Sequence, residues 1–263
     1  MSLPLKSMAH SLLVWLALGG AVYLALCAAL FVFQRSLIYV PQPRSAGSSA
    51  NLLTLPSAAG EVLVSTRPHA GPSAAIYFGG NAEDVSQSLP GLAAAFHDHS
   101  IYLLHYRGYG GSAGAPSEAA LVADGLALFD KVHADHSRIV VIGRSLGSGI
   151  AVQVASRRGA ARLVLVTPYD SLAEIAASQF AWFPMRWLLR DTYESWRDAP
   201  QVSAPTTLIA AEHDEVIPRA STELLHTRFA KGIASLEVLP GTGHNTVEQS
   251  PRYWAALIGS PNF

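Results

Sequence analysis

Gly143-Arg144-Ser145-Leu146-Gly147 stands between two stretches of different character. Arg138 to Ile142 is an apolar, β-branched run of the kind that fills a buried strand. Ser148 to Arg157 is rich in small residues and reads as a helix lying close against that strand. A chain that passes from strand to helix through G-x-S-x-G must turn sharply, and the turn lifts the serine hydroxyl above the edge of a parallel sheet. A Cβ at either glycine would collide with the neighbouring strand or helix. The motif therefore asks for a parallel sheet with helices on it, and makes Ser145 the candidate nucleophile.

The rest of the chain agrees. Val62–Thr66, Ala74–Phe78, Ile101–His105, Arg162–Val166, Thr206–Ala211 and Ser235–Leu239 read as further strands. Segments of helical period separate most of them, such as Ser117–Asp135, with Ser117-Glu118 as its start, and Ala220–Ala230. Alternation of this kind predicts an α/β fold, a mostly parallel central sheet covered by helices on both faces. The 263 residues suffice for one large domain of this type. Lys plus Arg (18) nearly balance Asp plus Glu (19), and no basic tract is present, which excludes a nucleic-acid partner. Cys27 is the only cysteine, so no intramolecular disulfide forms.

Ser11 to Phe33 contains no Asp, Glu, Lys or Arg. As a helix it is roughly 34 Å long, enough to cross a bilayer's hydrocarbon core. The expected organisation is a membrane anchor over residues 1–35, a linker over 36–50 and a catalytic domain over 51–263. The anchor is read as an uncleaved, single-pass signal anchor. Small residues at Ala25-Leu26-Cys27 offer a signal-peptide cleavage site as the alternative. Lys6 and the α-amine nearly balance Arg35 and Arg44 across it, and an N-in orientation puts the domain on the extracytoplasmic side. Residues 170–205 break the alternation. Their aromatic run, Phe180-Ala-Trp-Phe-Pro-Met-Arg-Trp-Leu-Leu189, reads as core packing, as a small cap whose apolar face lines an acyl pocket, or as a contact with the membrane.

A serine hydroxyl needs a base to take its proton. On folds that carry this turn the acid and then the histidine follow the serine in chain order. Gly241-Thr-Gly-His244-Asn comes directly after the last expected strand, which makes His244 the candidate base. One strand earlier, Glu212-His213-Asp214-Glu215-Val-Ile-Pro218 offers three carboxylates. Asp214 is the candidate that orients His244, because Val-Ile-Pro turns the chain away after it. Asp170 is the rival, and Glu212 and Glu215 read as solvated or helix-start charges. His97, His99, His133 and His136 read as surface residues. The negative oxygen of a tetrahedral intermediate needs donors. The backbone N–H of Leu146 is one candidate, and that of Asn81, after Ile76-Tyr-Phe-Gly79-Gly80, is the other. No cluster has metal-ligand spacing, and no phosphate-cradling loop is present, so no cofactor or metal is expected. Gly108-Tyr-Gly110-Gly-Ser lacks the spacing and the later acid of a dinucleotide site.

Several stretches occur together in one order: Leu37-Ile-Tyr-Val-Pro, Phe78-Gly-Gly-Asn-Ala-Glu, Tyr106-Arg-Gly-Tyr-Gly-Gly-Ser112, Pro116-Ser-Glu118, Gly143-Arg-Ser-Leu-Gly147, His213-Asp-Glu-Val-Ile-Pro218 and Gly243-His-Asn245. In this the chain resembles the Bem46-like branch of the α/β-hydrolases, which includes α/β-hydrolase domain proteins 13 and 17, over nearly its whole length after the anchor. The resemblance implies an α/β-hydrolase fold, a serine hydrolase acting on carboxylic esters or thioesters, and an N-terminal membrane anchor. Some members of the branch remove palmitate from proteins. The chain departs from the pattern at Gly79, where His is common, and at His105, where Asp is common. A peptidase of the serine-aminopeptidase type and a catalytically silent binding protein are the alternative functions on this fold.

Overall fold

The computed structural model describes residues 3–45 and 51–259. The end of the expected linker (46–50) and the chain's last residues (260–263) lie outside the described residues. In chain order the elements are α1 (Leu3–Ile38), β1 (Asn51–Ser57), β2 (Gly60–Arg67), β3 (Ser73–Phe78), α2 (Leu89–Ala95), β4 (Ser100–Leu104), α3 (Glu118–His133), β5 (Arg138–Arg144) and α4 (Leu146–Arg157). After these come β6 (Arg162–Val166), α5 (Leu172–Gln179), α6 (Met185–Leu188), α7 (Ser195–Asp198), β7 (Thr206–Ala211), α8 (Arg219–His226), β8 (Ala234–Leu239) and α9 (Tyr253–Ile258).

The strands form one eight-stranded sheet in the order β1-β2-β4-β3-β5-β6-β7-β8. β1, β2 and β4 pair antiparallel and every pair from β4 through β3 to β8 is parallel. Both faces are covered, so the central strands are apolar without alternation. Ala74, Ile76 and Phe78 of β3 join the cluster of Leu121, Phe129, Ile150 and Val154 on one face. Ala75 and Tyr77 join that of Leu92, Tyr253 and Leu257 on the other.

The expected strands and long helices are present. β1 is additional. It is an edge strand with Pro56 inside it, a position where a missing N–H costs no ladder bond, and that proline masks it in the sequence. Ser117 caps α3 as expected, its Oγ accepting from the Ala120 N–H at 3.3 Å.

α1 runs to Ile38, three residues past the expected anchor boundary. From Met8 on, almost all of it is exposed, and Met8–Ile38 is long and apolar enough to cross a membrane. The stretch from Tyr39 to Ser45 is not a free linker. Tyr39 is buried, its hydroxyl 3.1 Å from Asp191 and 2.9 Å from the Tyr193 hydroxyl. The Val40 N–H donates to Asn81 Oδ1 at 3.0 Å, the Gly110 N–H to Gln42 O at 2.8 Å, and the Ser45 N–H to Asp84 at 2.8 Å. Residues 39–45 are thus laid along the α/β body by hydrogen bonds whose partners are distant in sequence.

Candidate active site

The site is assembled at the C-terminal ends of the parallel strands. β5 ends at Arg144 and α4 begins at Leu146, which leaves Ser145 alone to make the turn, at φ 48° and ψ −116°. A non-glycine residue in that conformation is strained. Several contacts hold it: the Ser145 N–H donates to Val166 O at 2.9 Å, and its carbonyl accepts from Ser148 Oγ at 2.6 Å. The elbow also presses against the end of β3. A Cβ on Gly147 would lie 2.1 Å from the Phe78 carbonyl oxygen, and one on Gly143 would lie 2.6 Å from the Gly147 oxygen. The expected steric need for both glycines is met.

His244 Nε2 is 3.0 Å from Ser145 Oγ. Its Nδ1 lies 3.0 and 2.9 Å from the two Asp214 oxygens, and both side chains are buried. Asp214 is turned inward as Val-Ile-Pro suggests, since its Oδ1 accepts from the Val216 and Ile217 N–H groups at 2.9 and 2.7 Å. The rival Asp170 is taken elsewhere: it pairs with Arg228 at 3.1 Å.

Glu215 is exposed and Glu212 half-exposed, as expected of solvated charges, but both also hold backbone N–H groups. Glu215 Oε2 accepts from the His244 N–H at 3.1 Å, and Glu212 Oε2 from the Gly241 N–H at 2.7 Å. With His213 N–H to Thr242 O at 2.8 Å, these bonds lace the loop after β7 to the loop after β8. Sequence proximity conceals this, because each partner lies about one strand–helix unit away. His136 is also not a surface residue. It is buried, with Nδ1 2.9 Å from Gly71 O and Nε2 3.2 Å from Tyr102 Oη. His97 and His133 are exposed as expected, and His99 is half-buried.

Leu146 opens α4, and the N–H groups of a helix's first turn have no partner within the helix. Across the cleft, the loop after β3 is fixed by its own partners. A Cβ on Gly79 would sit 2.4 Å from Val85 Cγ1, so the position admits only glycine in this packing. Tyr106 Oη donates to Gly79 O at 2.7 Å. The Gly80 N–H donates to Glu83 Oε2 at 2.6 Å, which leaves the next N–H, that of Asn81, as the loop's candidate donor. Glu83 is a hub: the same oxygen takes Arg144 Nη1 at 3.1 Å, and the other takes Tyr77 Oη and Ser88 Oγ, both at 2.8 Å. Burial raises the Tyr77 hydroxyl well above its ordinary pKa, so it stays a donor.

The Asn81 side chain does something the sequence did not announce. Its Nδ2 donates to Ile38 O at 2.5 Å, and its Oδ1 accepts from the Val40 N–H and from Tyr109 Oη at 2.8 Å. The Tyr106-to-Ser112 motif is therefore the support of this loop, through Tyr106 and Tyr109. His105 at its start is buried, bonded to Ser65 Oγ at 2.8 Å, and burial lowers its pKa to about 4.

The cleft over Ser145 has a volume of 1040 Å³, with Gln42, Arg44, Leu92, Arg144, Glu248 and Trp254 among its walls. No residue of 170–205 is among them. Much of that segment packs into the core through Ile175, Tyr193 and Val202, its aromatic tip lies against α1, and the cleft walls come from residues 42–45 and the start of α2. Among the described residues no group of three or more His, Cys, Asp or Glu side chains stands ready to hold a metal ion.

A mostly parallel eight-stranded sheet covered by helices, with Ser145 at the turn after β5 and Asp214 and His244 on the loops after β7 and β8, is the fold of an α/β hydrolase. Comparison with known proteins agrees. The family model described as "Dienelactone hydrolase family" matches residues 113–257, just over half of the chain, and the chain belongs to that family. It is 38% identical over 235 residues to protein Rv2307c of Mycobacterium tuberculosis, covering 82% of each chain. It is 34% identical to the α/β hydrolase domain-containing protein aho-3 of Caenorhabditis elegans, over 68% of this chain and 54% of that one. With protein Bem46 of Schizosaccharomyces pombe it shares 25% identity over 70% of this chain and 65% of that one. Among solved structures, esterase Pf2001 of Pyrococcus furiosus superposes with a TM-score of 0.65 at 17% identity, covering 84% of this chain and 95% of that one.

Proposed function

We propose that this hydrolase is a membrane-anchored serine esterase or thioesterase that works through an acyl-enzyme. Ser145 Oγ attacks the acyl carbonyl while His244 Nε2 takes its proton. Asp214 fixes the histidine's tautomer and balances the imidazolium that forms. The N–H groups of Leu146 and Asn81 receive the oxyanion. His244 then returns the proton to the leaving alkoxide or thiolate, and a water activated by the same imidazole releases the acid. α1 anchors the chain in a single pass, and an N-in orientation puts the α/β body on the extracytoplasmic side. The observation that carries this reading is the 3.0 Å approach of His244 Nε2 to Ser145 Oγ, with Asp214 on the opposite ring nitrogen.

A peptidase reading gains one feature. Glu248, half-exposed on the cleft wall, is a carboxylate that a substrate's free amine can approach. Arg144 Nε lies 3.8 Å from it, however, and offsets its charge. The test is labelling of the full chain with a fluorophosphonate, followed by turnover of p-nitrophenyl esters and aminoacyl amides. Wild type is labelled and Ser145→Ala is not. Label that persists in Ser145→Ala rejects the assignment of the nucleophile. Amide turnover exceeding ester turnover favours the peptidase.

A further inference from the structure

We propose that the tip of the 170–205 segment, from Phe180 to Trp187, enters the same bilayer as α1 and forms a second, shallow membrane contact. The inference rests on the reading of α1 as a membrane anchor.

The first argument is the depth of the contact between them. Tyr23, Cys27, Leu30, Gln34 and Ile38 recur at helical spacing on one side of α1, and from Cys27 on they are buried or half-buried where the outward residues are exposed. At the lower end Arg35 pairs with Asp191 at 3.0 Å, and Gln34 Nε2 donates to Leu188 O at 2.9 Å. Higher up, the Arg190 guanidinium lies 4.2 Å from the centre of the Phe31 ring. Highest of all, the Tyr23 ring stacks on Phe183 with centroids 5.7 Å apart, and its hydroxyl donates to Trp182 O at 3.0 Å. Tyr23 is roughly 18 Å along the helix axis from Arg35.

The second argument is length. Beyond Tyr23 the chain offers Met8 to Val22 before Lys6, only about 22 Å of helix against a hydrocarbon core of about 30 Å, which sets the near boundary about 8 Å past Tyr23. A bilayer that stopped short of the segment's tip would find too little apolar helix to fill it. It must reach down α1 past Tyr23, and the tip is then inside it.

The third argument is what the tip presents. Trp182 and Trp187 are 89% and 88% exposed, and Phe180 is 49% exposed. Tryptophan rings are favoured at the boundary between headgroups and acyl chains. Cations follow in the right order: Arg186, in an exposed pair with Glu174, then Arg190 and Arg35, can each reach headgroup phosphates as their stems lie in the interface. Backbone groups in lipid must find partners within the protein. Here the Phe183 N–H bonds Phe180 O and the Met185 N–H bonds Phe183 O, while Tyr23 and Gln34 cover the carbonyls of Trp182 and Leu188. Continuity with α1 selects a lipid surface as the occupant over a protein.

The test uses the full chain in phosphatidylcholine vesicles, with and without lipid brominated near the headgroup end of its chains. Variants each keep one of the five tryptophans, the rest being changed to Phe. Trp15 reports on the anchor, Trp254 on the catalytic cleft. Trp182 and Trp187 are expected to lose roughly half of their fluorescence or more to the shallow bromines, as rings seated about 5–10 Å deep do, with Trp254 unaffected. Quenching of Trp15 with Trp182 and Trp187 as silent as Trp254 overturns the inference and leaves the anchor standing. No quenching of Trp15 overturns the anchor, and this inference with it. Should the single-tryptophan chains not fold, Trp182→Phe/Trp187→Phe in the native background decides: the lipid-quenchable share of the emission falls if the tip is inserted and rises if it is not, because two unquenched emitters are then removed.

Discussion

Asn81 ties the end of the apolar N-terminal helix to the loop that faces Ser145, with its Nδ2 2.5 Å from the Ile38 carbonyl and its Oδ1 3.0 Å from the Val40 nitrogen. The same residue carries the N–H assigned to the oxyanion. Asn81→Ala keeps that N–H but removes the side chain's bonds to Ile38, Val40 and Tyr109. Each such bond contributes about 1 kcal/mol, and a misplaced oxyanion donor costs about 10²-fold. The expected result is a roughly 10- to 100-fold fall in kcat with a smaller change in KM. A change confined to KM would show that the tether does not act on the oxyanion loop.

Ser145, His244 and Asp214 are proposed to act as one unit, so their losses should not add. Ser145→Ala and His244→Ala are each expected to lower kcat by about 10⁴-fold or more, and the double variant to be no worse than either. Asp214→Asn is expected to cost somewhat less. Initial rates on an activated ester measure all of these. Independent, multiplying losses would mean that the three residues serve different steps.

Gly147 is predicted to be the least replaceable position of the elbow. A methyl group there would lie 2.1 Å from the Phe78 oxygen and 2.6 Å from that of Gly79, both backbone atoms that cannot swing away. Gly147→Ala should lose about 1–3 kcal/mol of stability or more and move the oxyanion loop off Leu146, abolishing activity. Gly159→Ala is the control, since nothing lies within 4 Å of its added carbon. A thermal melt and an ester assay on both variants check this. Equal melting temperatures would show that the β3–α4 contact is looser than these distances.

What the sequence reveals is what is written locally. The strand, turn and helix around Ser145 occupy twenty consecutive residues, and chain order points to Asp214 and His244 once Val-Ile-Pro after the one and the last strand before the other are counted. What it conceals is set by partners far apart. Asp170 loses to Asp214 because Arg228, 58 positions on, claims its carboxylate. Glu212 and Glu215 stay solvated, and only the folding of the loop after β8 against them reveals the bonds they make. Tyr39 looks like linker because the groups that bury it lie beyond residue 190. The aromatic run at 180–189 reads as a pocket lining only if it is imagined above Ser145, and its true neighbour is a helix about 150 residues earlier.

His105 gives the fold a defined sensitivity to acid. Its ring is buried between Ser65 Oγ and Gly110, where a Cβ would lie 2.2 Å from Nδ1, and burial lowers its pKa to about 4 from the ordinary 6.5. Between those values the unfolded chain binds a proton that the folded chain does not, so stability falls as pH drops from about 6.5 toward 4 and levels off below. The shift corresponds to about 3 kcal/mol at most. His105→Asn, which can keep a polar contact to Ser65 without titrating, should flatten that part of the profile while leaving stability at pH 8 lower by no more than a repacking cost of about 1–3 kcal/mol. Urea unfolding from pH 8 to pH 4 on both chains is the measurement. Parallel profiles would place the acid sensitivity on other groups.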